Sequence, residues 1–156
     1  MRARQTIALL ALVGLFVAIY LWLHALGYGG AIKCGGSGAC EAVQTSRWAV
    51  LLGLPVAFYG VVGYFALLVV SIVALRPAAL LERKWNALLA AMASLGFLFT
   101  LYLTYVELFL IRAICRWCVS SAVIITLIWI VALLSLRSPA IRTDRGASPP
   151  QPGRPA

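Results

Sequence analysis

Four stretches of this chain are apolar for about twenty residues each, and that constrains the solvent in which it can fold. They run from Ile7 to Gly27, from Trp48 to Leu75, from Trp85 to Ile111 and from Cys115 to Leu136. Roughly 20 residues, rising 1.5 Å each, cross the hydrocarbon of a bilayer. In lipid every backbone N–H and C=O must be satisfied within its own segment, so each stretch is expected to be a helix. Composition agrees. The chain is 63% hydrophobic and 11% charged, with a mean hydropathy of +1.00, whereas a soluble domain is about half apolar and a quarter charged. One small aqueous core cannot hide such an excess, because a folded chain of this length still exposes roughly a third of its surface. The expected fold class is therefore an all-α integral membrane protein. Residues 1–136 form a four-helix transmembrane bundle, with helices at about 7–27, 48–75, 85–111 and 115–136 and an outer cap at 28–47. A disordered, basic, proline-rich tail follows at 137–156.

The first stretch follows Arg2 and Arg4, as a signal peptide would. Its apolar run exceeds the usual 7–15 residues of such a segment, so a retained helix is expected. The formal net charge is +9. Its basic residues sit between and beyond the apolar runs, which points to membrane orientation rather than to nucleic acid. With the N-terminus inside, one side holds Arg2, Arg4, Arg76, Arg83, Lys84, Arg137, Arg142, Arg145 and Arg154, and the other holds Lys33, Arg47, Arg112 and Arg116. The positive-inside rule then puts both termini in the cytoplasm.

That topology gathers all four cysteines on the outer side. Cys34 and Cys40 fall in the first outer loop, and Cys115 and Cys118 at the outer end of the last helix. An oxidising outer compartment suits disulfide chemistry. Cys34 and Cys40 enclose Gly35, Gly36, Ser37, Gly38 and Ala39. Three glycines let the loop double back and let the pair swing between partners. Cys115-Arg116-Trp117-Cys118 places two thiols one helical turn apart. There the positive end of the helix dipole and Arg116 favour a thiolate. A static staple in a non-enzymatic scaffold, or a Cys₄ zinc site, are the alternatives. The C-x₅-C spacing is too loose for the usual structural zinc pair, so no metal is expected. One mobile and one rooted pair on the same face suggest a relay. It would carry electrons from protein thiols through mixed disulfides to a two-electron acceptor dissolved in the bilayer, such as a quinone.

The sequence resembles the vitamin K epoxide reductase family from about Leu10 to Leu136. The carrying motifs are Cys34-x₅-Cys40, Ser46-Arg47-Trp48, Gly53-Leu54-Pro55-Val56-Ala57-x-Tyr59-Gly60, and Tyr102-x-x-Tyr105-x-Glu107 leading into Cys115-x-x-Cys118. The oxidase DsbB has the reverse order, with C-x-x-C in its first outer loop. The resemblance implies a four-helix bundle around a quinone, capped by the outer loop and a half-helix at Glu41 to Arg47. It implies that Cys34 exchanges with a partner protein, that Cys40 exchanges with Cys115, and that Cys118 is the thiolate facing the quinone. Ser46 matches a hydroxyl that supports the site.

Vertebrate members use an Asn and a Tyr to bind the quinone oxygens, where this chain has Val56 and Ala122. The resemblance thus points to the bacterial branch, with no fused thioredoxin domain. The expected function is quinone-dependent reoxidation of a separate periplasmic, thioredoxin-fold, DsbA-like protein at the bacterial inner membrane, supporting disulfide bond formation. Vitamin K quinone or epoxide reduction is the alternative. The quinone would be menaquinone, ubiquinone or vitamin K type. Further candidates are Glu107, an ionisable group inside the third helix, and Tyr59, Tyr102 and Tyr105, which are placed to line a quinone pocket. Glu107 is read as accepting protons during thiol exchange or bonding to the cap, against a simple ion pair with Arg112. Thr100, Thr104 and Glu107 share one helix face, expected to look inward.

Overall fold

The fold is taken from a computed structural model, in which residues 2–28, 38–76 and 83–137 are described. Cys34 and the proline-rich tail beyond residue 137 lie outside the described residues. Helix α1 runs Arg2–Ala25, and a short helix α2 runs Ala39–Gln44. A 3₁₀ turn at Arg47–Ala49 follows, then two-residue strands β1 (Val50–Leu51) and β2 (Leu54–Pro55). Helix α3 is Val56–Ala74, α4 is Arg83–Tyr105 prolonged by a π-helical turn at Val106–Ile111, and α5 is Arg116–Arg137. The four long helices are each long and apolar enough to cross a membrane.

The second span starts at Val56, eight residues later than its hydropathy suggests. Trp48–Pro55 is apolar, but Pro55 lacks an N–H and cannot sit inside a helix. Leu52 and Gly53 both have positive φ (53° and 83°), the signature of a type I′ turn, and β1 and β2 pair antiparallel across it. The cap helix is likewise shorter than Glu41–Arg47. It starts after Gly38, held at φ 62°, and ends where both the backbone N–H and the hydroxyl of Ser46 bond the Val43 carbonyl.

Packing follows a seam of small residues. On α1 the buried residues are Arg4, Ile7, Ala11, Gly14, Ala18 and Leu21, spaced alternately three and four apart. That spacing keeps one stripe facing a neighbouring helix. On α3 the matching stripe is Tyr64, Leu67, Ser71 and Ala74. Lipid gives no hydrophobic drive between helices, so close contact through small residues does the work. The tightest point is Gly14, where an added Cβ would lie 2.6 Å from Cδ1 and Cζ of the Tyr64 ring. Tyr64 is thereby free to reach α5, its hydroxyl donating to the Ser121 carbonyl at 2.9 Å. Gly14→Ala is expected to cost about 1–3 kcal/mol by overpacking and to displace that bond. Thermal unfolding in detergent, read beside Tyr64→Ala, checks it, since the smaller residue removes the clash.

Candidate outer thiol site

The site forms where the cap meets the start of α5. Arg112 takes the left-handed conformation (φ 56°) and ends the π-helical turn, so residues 112–115 form an irregular link before α5 begins at Arg116. Cys115 is thus the residue before the first helical one, and it is fully buried. Its sulfur accepts the backbone N–H of Cys118 at 3.4 Å, as an N-cap side chain would. Trp117 is anchored to α1 by Tyr20, ring centroids 4.8 Å apart.

Cys115 and Cys118 are both free thiols, whereas Cys40 is in a disulfide. Cys40 is fully buried and shares one apolar cluster with Leu21, Val43 and Cys115, with Cys118 packed against it. One cysteine of the outer pair and both of the rooted pair are therefore in one place. A sulfur already bonded to carbon and sulfur cannot serve as a zinc thiolate, so this arrangement does not make a Cys₄ metal centre.

A hydrogen bond from the Cys118 thiol, stronger than the cost of burial, holds the Cys115 thiol down to about 7. The backbone N–H of Cys118 works in the same direction, and the nearby Glu107 carboxylate opposes it. Cys115 should therefore be a thiolate above pH 7 and lose that charge, and its nucleophilicity, as the pH falls through this value. Ultraviolet thiolate absorbance of the reduced pair is expected to rise with a midpoint near 7, against about 8.5 for an unperturbed thiol.

Glu107 is buried in the π-helical turn. Such a turn adds a residue to the helical repeat and re-aims the side chains around it. The Glu107 carboxyl lies close enough to the Cys118 thiol and to the backbone of Cys115 for both to act on it. Among the described residues it makes no ion pair with Arg112, so the thiol pair is its partner.

Below the thiols lies a cavity of about 940 Å³ reached by all four long helices. Its wall includes Cys118, Glu107, Ser46, Val56, Tyr59 and Ala122. Thr100 and Thr104 also face it, on the same side of α4 as Glu107. The Tyr59 hydroxyl is committed to the Leu51 carbonyl at 2.9 Å, tying α3 to the hairpin. Tyr102 lies instead on an adjoining pocket of about 400 Å³, with Arg47 and Trp48. Tyr105 reaches neither: it is exposed and stacks on Phe109 at 5.0 Å. Because Thr104 and Glu107 face inward, the stripe through Tyr102, Tyr105 and Phe109 must turn away from the cavity.

One residue absent from the sequence reading belongs to the site. The Gln44 side-chain amide donates to the Cys118 sulfur at 3.8 Å. Its position four residues after Cys40, on the same helix face, was the available signal. A family model described as the vitamin K epoxide reductase family matches residues 5–133.

Proposed function

The chain belongs to the vitamin K epoxide reductase family and is a multi-pass membrane oxidoreductase, and from that premise we propose that it oxidises protein thiols at the expense of a membrane quinone. Its partner would be a separate periplasmic protein of DsbA-like, thioredoxin fold, and its site the bacterial cytoplasmic membrane, with both termini inside. The observation that carries this reading is the burial of Cys40, in a disulfide, beside two free thiols of which one, Cys118, forms part of an apolar cavity wall.

The cavity fits the head of a quinone. It is large, mostly apolar, and bounded by a reactive sulfur at one end. Bound there, a quinone supplies an acceptor for two electrons and two protons. Val56, Tyr59, Ala122 and the two threonines would hold its ring, with Cys118 at its edge. Val56 and Ala122 bring no hydrogen-bonding side chain to the ring, which favours thiol oxidation over epoxide reduction, a reaction needing acid catalysis at oxygen.

The chain's own steps follow. A partner thiolate attacks Cys34 of the Cys34–Cys40 disulfide, and Cys40 leaves as a thiolate. The partner's second thiolate then attacks the partner sulfur, closing the partner's disulfide and releasing Cys34. Cys40 attacks Cys115 of an oxidised Cys115–Cys118 pair, and Cys118 leaves. Cys34 attacks Cys40 in the mixed disulfide, which restores the outer disulfide and leaves both rooted thiols reduced. Closing Cys115–Cys118 then releases two electrons and two protons. Glu107, a neighbour of the Cys118 thiol, would take a proton from it in this step.

The test is reconstitution of the full chain in quinone-containing vesicles with a reduced thioredoxin-fold protein of high potential. One partner disulfide is expected per quinone reduced. Partner oxidation that proceeds at the same rate without quinone refutes the reading.

A further inference from the structure

Cys40 and Gln44 lie one turn apart on the short cap helix α2, and Cys115 and Cys118 lie one turn apart at the start of α5. The two turns are in register. Cys40 packs in the cluster that holds Cys115, while the Gln44 amide donates to the Cys118 sulfur. Cys118 therefore has two neighbours, the Gln44 amide as a donor and the Glu107 carboxyl.

These two neighbours differ in kind. Glu107 and Cys115 are the titratable groups that face Cys118. A carboxyl donates a hydrogen bond only while protonated, and once ionised it repels a thiolate. A primary amide does not ionise and offers N–H at every pH. The Gln44 bond is thus a donor to Cys118 that survives when Glu107 gives up its proton.

We infer that Gln44 is a catalytic residue that couples cap docking to thiolate formation at Cys118. When Cys40 attacks Cys115, the Cys115–Cys118 bond breaks and the electron pair departs on Cys118. The amide N–H of Gln44 stabilises that leaving sulfur, which makes Cys118 the better leaving group. Because Gln44 rides on the same six-residue helix as Cys40, the stabilisation is present only while the attacking sulfur is in place. With the cap lifted for the partner protein, Cys118 loses this donor and holds its proton more firmly. The assignment rests on the thiol-oxidase reading above.

The experiment uses the full chain in lipid vesicles in a Cys115→Ala background, where Cys118 is the one free thiol while the outer disulfide is closed. The rate at which iodoacetamide modifies Cys118 is followed against pH in chains carrying Gln44, Gln44→Leu and Gln44→Asn. Removing a hydrogen bond to the charged form should raise the midpoint by about one unit in Gln44→Leu. Gln44→Asn, too short to reach the sulfur, should behave alike. With Cys115 restored, both variants should turn over about threefold more slowly, because only part of the leaving sulfur's charge has developed in the transition state. Midpoints that coincide in all three chains, at matched thermal stability, overturn the proposal. Loss of stability in one variant is controlled by the other, since both must shift the midpoint for the assignment to stand. Absence of quinone-dependent turnover in the unaltered chain would count against the thiol-oxidase reading, whereas the alkylation profiles report on the Gln44–Cys118 bond by themselves.

Discussion

Cys118→Ala is expected to abolish quinone-dependent thiol oxidation, a loss of roughly 10⁴-fold or more, as when a member of a covalent catalytic unit is removed. Cys115→Ala should cost as much, because neither thiol alone can close the rooted disulfide. The two variants should nevertheless stall differently. Cys115 packs in the cluster that contains Cys40 and ionises near pH 7. In Cys118→Ala it can still attack the outer disulfide at Cys40, expelling Cys34, and Cys118 is no longer there to resolve the mixed disulfide from the rooted side. A Cys40–Cys115 mixed disulfide should therefore accumulate in that variant and be absent from Cys115→Ala. Cys34→Ala should block oxidation of a protein partner yet leave oxidation of small dithiols, which can reduce the rooted pair directly. Quinone absorbance gives the rates, and peptide mapping without reductant gives the trapped species. Sustained turnover in a chain lacking both Cys115 and Cys118 would end the relay scheme.

Membrane residence was legible because hydropathy over about twenty residues is a bulk property that no local detail overrides. The thiol pair at the start of the last helix was legible for a similar reason, since a spacing of three defines one helix face. The start of the second span was not. Trp48–Pro55 is as apolar as the helix after it, and only the turn chemistry of Gly53 and the missing N–H of Pro55 separate hairpin from span. The tyrosines of α4 show a second limit. Thr100, Thr104 and Glu107 were assigned to the inner face by periodicity, and all three reach the cavity. The same periodicity turns Tyr105 outward, which its aromatic character had concealed. Gln44 escaped notice because its spacing from Cys40 shows only a shared helix face, and its role depends on how α2 docks on α5, a tertiary fact. Arg4 escaped for the opposite reason: it read fully as an orientation signal, and its contacts had no need to exist.

Arg4→Leu is expected to destabilise the bundle by about 2–4 kcal/mol, because charge-assisted hydrogen bonds are worth roughly 1.5–3 kcal/mol each. Arg4 is buried at the end of the bundle opposite the cysteines. Its guanidinium donates to the Ala74 carbonyl, at the last residue of α3, and through Nε to the Asn86 side chain at 2.9 Å. Asn86 in turn donates to the Ser135 carbonyl of α5 at 3.4 Å. One polar chain thus joins α1, α3, α4 and α5 at a single level. A cation beside the closing carbonyl of α3 is also favoured by that helix's dipole. Leucine matches the surrounding lipophilicity but leaves the Asn86 oxygen without this donor in a region poor in water. Arg4→Lys should recover only part of the loss, since one ammonium lacks the fork that serves two acceptors at once. The effect is measurable as a fall in melting temperature of roughly 5–12 °C, followed by the reaction of buried Cys115 with a thiol dye as the bundle opens. Coupling distinguishes a network from a set of separate contacts. Arg4→Leu combined with Asn86→Leu should cost clearly less than the two single losses added together, because each single change strands the partner that the other removes. Strict additivity would show that the two side chains act independently and that the four helices are held at this end by packing alone.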